Sequence, residues 1–338
     1  MLDNIETNDI YFSYIYLFIA VIVNSFNALF ILLCSNLSDW TIIFYRYLII
    51  GLFIFIYFII NSHTKTLLNF YNIGFIGFIA GIVYGLSGIV FVFAVNYDSI
   101  GSLYIISSTA PLFASFFSYF LMNETISIAT LITLILCIII IIILVCVELM
   151  IDSASIFGIC MSIANVVFTT LYLVLARYIN YNKKKSDKLD LTPILIIGSF
   201  LSVFISLFFE IDYISLTNYN IMYLIIQGIF VVAIPNIIFV YVTNVISVVT
   251  ISLIRLSNII LSPMWIWICG LEEVSYDVVY IGIVIFVILL INGLIAIYEN
   301  NDNQLINDKV EETKNDLIDE SNNDLLNEST RLIPRYTL

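Results

Sequence analysis

The chain has 338 residues, of which 62% are apolar and only 11% are charged. Soluble globular domains are about 45–50% apolar and about 25% charged, so this composition excludes an ordinary water-soluble domain. The net charge of −13 comes from 25 acidic residues, all in predicted loops, span ends or the C-terminal tail. The apolar residues form many separate runs, which is typical of a multi-span membrane protein.

Ten apolar runs are long enough to cross a bilayer core of about 30 Å, which takes about 20 helical residues. We number these spans 1 to 10 in chain order; a short segment, 1–11, precedes span 1, and 298–338 follows span 10. The predicted spans are 12–34, 41–60, 72–95, 100–122, 127–147, 154–176, 193–209, 220–242, 246–270 and 278–297.

The basic residues of the predicted loops all fall on one side of the membrane. Lys65 lies between spans 2 and 3, five basic residues lie from Arg177 to Lys188, and four lie in the tail. The positive-inside rule assigns such a side to the cytosol. We therefore expect an integral, multi-pass protein with both termini in the cytosol.

Two arginines lie inside predicted spans: Arg46 in the first third of span 2 and Arg255 in the interior of span 9. Ionisable residues within a membrane are costly and generally functional. The structural alternative is an arginine that snorkels to the interface. Because no carboxylate lies clearly within a span, we expect a substrate carboxylate or phosphate to pair with Arg255. This favours an anionic or zwitterionic metabolite of the amino-acid or organic-anion class.

Amide and hydroxyl side chains concentrate in spans 1, 4, 6, 8 and 9 and are nearly absent from spans 5 and 10. The alternative for each is an interhelical hydrogen bond, worth about 0.6–2 kcal/mol. Together with Arg46 and Arg255, the predicted substrate-binding residues are Asn24, Asn27, Ser107, Ser108, Asn165, Thr169, Gln227, Asn236 and Asn258. In span 3, Gly77, Gly81 and Gly85 recur every four residues, which predicts close helix packing.

Several enzyme classes lack their residues here. The single histidine, His63, excludes H-E-x-x-H metalloproteases and most histidine-based triads. The five cysteines are scattered singly and form no C-x-x-C pair. No glycine-rich nucleotide motif is present. A membrane-embedded lipid-modifying enzyme is disfavoured because no span or loop collects histidine or paired carboxylates. We expect no enzymatic activity, cofactor, metal or nucleic-acid partner.

Residues 12–147 and 154–297 share features in the same order. Asp39-Trp40-Thr41 before span 2 parallels Asp190-Leu191-Thr192 before span 7, and Asn24 in span 1 parallels Asn165 in span 6. Because each half contains five spans, the second half would insert upside down relative to the first. Such inverted repeats are typical of transporters, with the substrate site near the membrane midplane.

Three stretches resemble the EamA-type branch of the drug/metabolite transporter (DMT) superfamily, related to solute carrier family 35. They are 39–48, which contains Arg46; 107–113 with 122–127, where Asn123 stands in place of the family's usual glycine; and 252–258 with 271–275. The resemblance implies an all-α bundle of ten helices in two inverted repeats, with helices 5 and 10 peripheral and available for a homodimer. It also implies transport of a small solute; a nucleotide-sugar or triose-phosphate antiporter is the alternative, weakened because no second basic residue adjoins Arg255.

The tail, 298–338, is acidic and rich in asparagine, which predicts a disordered cytosolic segment. Glu328, Leu332 and Ile333 fit an acidic dileucine sorting signal of the kind that clathrin adaptors read. We therefore expect an endosomal or vacuolar membrane, with the plasma membrane as the alternative.

Overall fold

The computed structural model describes residues 2–62, 70–123, 155–181, 183, 188–211 and 216–271, with isolated positions at 132–139 and 283–291. Side chains are described from residue 12 onward. Nearly all of predicted spans 5 and 10 lies outside the described residues. So does the tail with Glu328, Leu332 and Ile333.

All the regular secondary structure of the described residues is helical, as the composition predicts. The α-helices are α1 (Leu2–Asn24), α2 (Asn27–Leu32), α3 (Asp39–Ser62), α4 (Gly74–Tyr97), α5 (Ile100–Ser107), α6 (Ala110–Met122), α7 (Ile156–Tyr181), α8 (Thr192–Ser206), α9 (Asn218–Ile226), α10 (Ile234–Val242), α11 (Val248–Arg255) and α12 (Asn258–Ile268). A π-helical segment, Gln227–Ala233, joins α9 to α10.

Seven apolar helical segments of the described chain are long enough to cross a membrane. They correspond to predicted spans 1–4, 6, 8 and 9, so the multi-span all-α class is confirmed. The segments are Phe12–Leu32, Asp39–Asn61, Gly74–Tyr97, Ile100–Met122, Ile156–Tyr181, Asn218–Val242 and Val248–Ile268. Predicted span 7 forms the shorter α8, whose 15 residues extend about 22 Å at 1.5 Å per residue.

Three spans that the sequence predicts as continuous are interrupted near their middle. Span 1 breaks between α1 and α2, span 4 between α5 and α6, and span 9 between α11 and α12. At each break a hydroxyl donates to the carbonyl three residues earlier, a contact that bends helices. These bonds are Ser25 Oγ to Ile22 O (2.6 Å), Ser108 Oγ to Ile105 O (2.5 Å), Thr109 Oγ1 to Ile106 O (2.7 Å) and Ser257 Oγ to Ile254 O (2.9 Å).

The first half-helices of spans 4 and 9 begin in the same way. Ser99 caps α5 by accepting from the Ser102 N–H at 3.1 Å, and Ser247 caps α11 by accepting from the Thr250 N–H at 3.1 Å. Both half-helices contain 8 residues. Such caps satisfy backbone donors that a helix start leaves without partners.

Helix α4 lies at the centre of the bundle and packs against α7 and α8. A Cβ at Gly85 would lie 2.5 Å from Gly198 O of α8, and one at Gly81 would lie 2.7 Å from Ile197 Cγ2. Ser202 Oγ of α8 donates to Gly85 O at 3.0 Å. The two backbones therefore touch along this stretch, whereas the nearest atoms to a Cβ at Gly77 belong to the Ile73 side chain.

Candidate functional site

The helices enclose a cavity of about 100 Å³ at the level of the helix breaks. Of the eleven predicted substrate-binding residues, ten line it, and Gln227 is the exception. The lining residues are Asn24, Asn27, Arg46, Tyr47, Tyr84, Ser87, Gly88, Phe91, Tyr104, Ser107, Ser108, Ala110, Asn165, Val166, Thr169, Tyr172, Val232, Asn236, Ser252, Arg255, Asn258 and Ile259.

The interrupted helices deliver polar groups to this cavity. Asn24 and Asn27 flank the break of span 1, Ser107 and Ser108 lie at that of span 4, and Arg255 is the last residue of α11. Discontinuous helices build the solute sites of many transporters, because their ends turn polar groups toward a central cavity.

Arg46 is only 2% exposed and is held by an amide of span 1. Its Nη2 donates to Asn27 Oδ1 at 3.1 Å, while its Nε and Nη1 have no hydrogen-bond partner among the described residues. The guanidinium carbon lies 5.3 Å from the Tyr47 ring centre and 5.6 Å from that of Phe91. These aromatic faces attract the cation, but they do not replace an anion.

Gln227 lies behind Asn27. Its Nε2 donates to Asn27 Oδ1 at 3.1 Å and to Asn27 O at 2.9 Å. Gln227 is the first residue of the π-helical segment, and in the same segment Val231 O accepts from Asn24 Nδ2 at 3.2 Å. The π-helical segment therefore orients the two asparagines of span 1 and, through Asn27, the guanidinium of Arg46.

Arg255 is partly buried and lies in the cavity wall. Its guanidinium carbon lies 5.1 Å from the centre of the Phe239 ring. Within the described part of the chain, no hydrogen bond or carboxylate reaches this guanidinium. Its N–H fork is therefore available to an anionic group in the cavity.

Four tyrosines that the sequence pattern does not predict also line the cavity. They are Tyr47, Tyr84, Tyr104 and Tyr172. The Tyr172 hydroxyl donates to Asn236 Oδ1 at 3.1 Å, Asn236 Nδ2 donates to the Tyr84 hydroxyl at 3.4 Å, and the two rings lie 5.1 Å apart. This network joins α4, α7 and α10 around the cavity.

The remaining predicted residue of α7, Thr169, donates to Asn165 Oδ1 at 3.2 Å, and both line the cavity. The carboxylates with described side chains lie at or beyond helix ends, and none of them lines it. They are Asp39, Asp98, Asp190 and Glu210. Among the described residues, no group of three histidine, cysteine or acidic side chains is placed to hold a metal ion.

Gly88 of α4 provides the space that the Tyr47 hydroxyl occupies, since a Cβ at residue 88 would overlap that hydroxyl. We expect Gly88→Ala to displace the Tyr47 ring, which is 2% exposed, and to cost about 1–3 kcal/mol of stability. Tyr47→Ala removes the obstacle, so the double variant should be more stable than the sum of the two single losses predicts. Thermal unfolding in detergent measures this coupling; additive losses would contradict the contact.

The fold and the cavity define a class: a multi-span helical membrane protein with a polar cavity that two arginines line. Residues 11–146 match the model of the EamA-like transporter family. The resemblance read from the sequence is thereby confirmed over residues 11–146, which are similar to the EamA-like transporters of the drug/metabolite transporter superfamily. The matched family consists of transporters, in agreement with the absence of an enzyme signature in the sequence.

One similar solved structure is a crystal structure with 15% sequence identity and a TM-score of 0.61. The match covers 84% of this chain and 98% of the other. At this identity the likeness shows a shared fold alone. The comparison with curated proteins gives no match.

Proposed function

We propose that the chain is a ten-helix transporter of two inverted five-helix repeats that moves a small anionic or zwitterionic metabolite by alternating access. The observation that carries the proposal is the charge of the cavity: Arg46 and Arg255 line it, and none of the described residues that line it is a carboxylate. Buried cations without a counterion are strongly destabilising, so a substrate anion is the natural partner.

The helix contacts support the inverted repeat. Exchanging the halves pairs spans 1 to 4 with spans 6 to 9. The contact of α4 (span 3) with α7 (span 6) then corresponds to the contact of α10 (span 8) with α1 (span 1). The contact of α4 with α8 (span 7) corresponds to the contact of the π-helical segment (span 8) with α3 (span 2). The contact of α6 (span 4) with α11 (span 9) corresponds to the contact of α12 (span 9) with α5 (span 4). All of these contacts are present, as are the matched caps at Ser99 and Ser247.

Polar clusters at the two ends of the bundle support alternating access. At one end, Asn96 Nδ2 donates to Asp39 Oδ1 at 2.5 Å. At the other, Asn180 Nδ2 donates to Asn244 Oδ1 at 2.9 Å. These two ends of the bundle are opposite. Ser155, just before α7, donates to Tyr97 O at the end of α4, so α7 begins at the end of the bundle that holds Asn96. Asn180 is near the last residue of α7 and therefore lies at the other end of the bundle. We assign these clusters to the two gates.

The cytosolic position of both termini belongs to the same proposal, since it follows from the basic residues of the predicted loops. A helix pair 5 and 10 that forms a homodimer and a clathrin adaptor bound to the tail involve residues outside the described ranges. Both remain expectations from the sequence.

An exchange screen with the purified chain in proteoliposomes tests the proposal. We expect vesicles preloaded with a mixture of unlabelled anionic and zwitterionic metabolites to take up one or more labelled members, and protein-free vesicles to take up none. Cationic probes and probes without ionised groups should not exchange. Uptake of cations alone, or no uptake of any member, would contradict the proposal.

A further inference from the structure

The charge of the cavity also bears on the charge of the substrate, given that the proposed transport function holds. Among the described residues that line the cavity are two guanidinium groups, and no aspartate, glutamate or histidine. A zwitterion brings no net charge to such a site, and its ammonium group would find two cations and no carboxylate. A monoanion would neutralise only one of the two positive charges.

Arg46 is the more buried of the two guanidinium groups, and its charge is only partly compensated by protein. It is 2% exposed, and its Nε and Nη1 lack partners among the described residues, so one amide oxygen and two aromatic rings are its surroundings. The interaction of a fixed charge with an anion decays slowly in a medium of low dielectric constant. Arg46 therefore attracts an anion anywhere in this small cavity without a direct contact.

Arg255 differs from Arg46 in its access to the cavity. It is only partly buried, and its guanidinium carbon lies 5.1 Å from the centre of the Phe239 ring. No described side chain accepts a hydrogen bond from its N–H groups. Its fork fits direct, bidentate binding of a carboxylate or a phosphate. Arg46, Arg255 and Tyr104 line the same cavity, which places the two charges around one solute site rather than two.

We propose that the transported solute is a small dianion: Arg255 binds one anionic group directly, and the buried charge of Arg46 selects for the second negative charge. A dicarboxylate and a phosphate monoester share this chemistry, and a cavity of about 100 Å³ fits compact members of either class.

Uptake into proteoliposomes that contain the full chain tests this with four labelled probes: succinate, its singly charged monomethyl ester, glycerol 3-phosphate and alanine. We expect succinate or glycerol 3-phosphate to enter at least tenfold faster than the ester and alanine. The faster of the two dianions shows whether the substrate carries two carboxylates or one phosphate group. Faster entry of the ester or of alanine would overturn the inference.

Substitution of Arg46 provides the second test. In Arg46→Gln we expect the preference for the dianion over the ester or alanine to fall at least tenfold, while Arg46→Lys, which keeps the charge, retains at least a third of it. An unchanged preference in monodisperse Arg46→Gln protein would overturn the role of this charge. Should Arg46→Gln not fold, the lysine variant and the wild-type ratios decide.

The pH dependence adds a readout that needs no variant. A phosphate monoester loses its second proton with a pKa of about 6, so its dianion fraction rises about fourfold from pH 5.5 to pH 7.5. Where glycerol 3-phosphate is the better dianion, its uptake should rise by about this factor; a fall with pH would overturn the dianion assignment.

Failure of the inference and failure of the transport proposal give different results. Arg255-dependent uptake of alanine or of the monomethyl ester, without preference for a dianion, leaves the transporter proposal standing and overturns the dianion. Absence of uptake for the four probes and for the whole exchange screen overturns both.

Discussion

Replacing Arg255 by glutamine is expected to lower the uptake of anionic substrates at subsaturating concentration about 30-fold or more. Removing one partner of a buried, hydrogen-bonded charge pair costs about 2–5 kcal/mol, and each 1.4 kcal/mol is a factor of ten. Glutamine keeps a hydrogen-bond donor and much of the side-chain length. The loss of uptake therefore measures the contribution of the positive charge and of the paired N–H donors of the guanidinium. Initial rates in proteoliposomes measure it.

The same substitution should leave the melting temperature in detergent nearly unchanged. Within the described residues the guanidinium of Arg255 makes no hydrogen bond, and its guanidinium carbon lies 5.1 Å from the centre of the Phe239 ring. Loss of transport without loss of stability separates substrate binding from helix anchoring, which is the structural alternative for an intramembrane arginine.

Arg177→Gln serves as the matched control, because Arg177 lies near the end of α7, next to the Tyr181 ring, and does not line the cavity. It makes the same chemical change elsewhere in the same protein. Uptake by this variant should stay within a factor of two of wild type. Equal losses in both variants would argue against a specific role for Arg255.

The two arginines could be found from the sequence because a charge within an apolar run is rare and costly. The asparagines and serines of the cavity could be found because polar groups in a membrane concentrate where they meet other polar groups. Ten of the eleven predicted substrate-binding residues line one cavity, although the sequence does not show which helices pack against each other. Gln227 illustrates the limit: the same signal marks a residue that binds Asn27 instead.

The tyrosines of the cavity could not be found in this way. The chain contains 22 tyrosines, and aromatic residues are ordinary both in helix packing and at the membrane interface. Tyr84 and Tyr172 differ from the exposed Tyr71 and Tyr219 only in what the tertiary fold places beside them.

The helix breaks were missed for a related reason. Apolar content predicts that a segment crosses the membrane, but it does not report the path of the backbone within it. The breaks at Ser25, Ser108 and Ser257 depend on hydroxyls that bond to their own backbone, and the same residue types also occur in unbroken helices. Only Pro111, at the start of α6, is a breaker that the sequence shows directly.

Gly85→Ala is expected to destabilise the bundle by about 1–3 kcal/mol, the usual range for overpacking. The added Cβ would lie 2.5 Å from Gly198 O, and this obstacle is backbone, which cannot change rotamer. Helices α4 and α8 would have to separate, which would also strain the hydrogen bond from Ser202 Oγ to Gly85 O. Thermal unfolding in detergent measures the effect.

Gly51→Ala in α3 is the control for this variant. Its Cβ would meet the Ser199 Cβ at 3.2 Å, a distance that a shift of a few tenths of an ångström between α3 and α8 relieves. Alanine also favours a helix interior over glycine by about 0.5–1 kcal/mol. The control should therefore lose little stability or gain some, and a loss equal to that of Gly85→Ala would show that any added methyl, rather than the backbone contact of α4 with α8, is responsible.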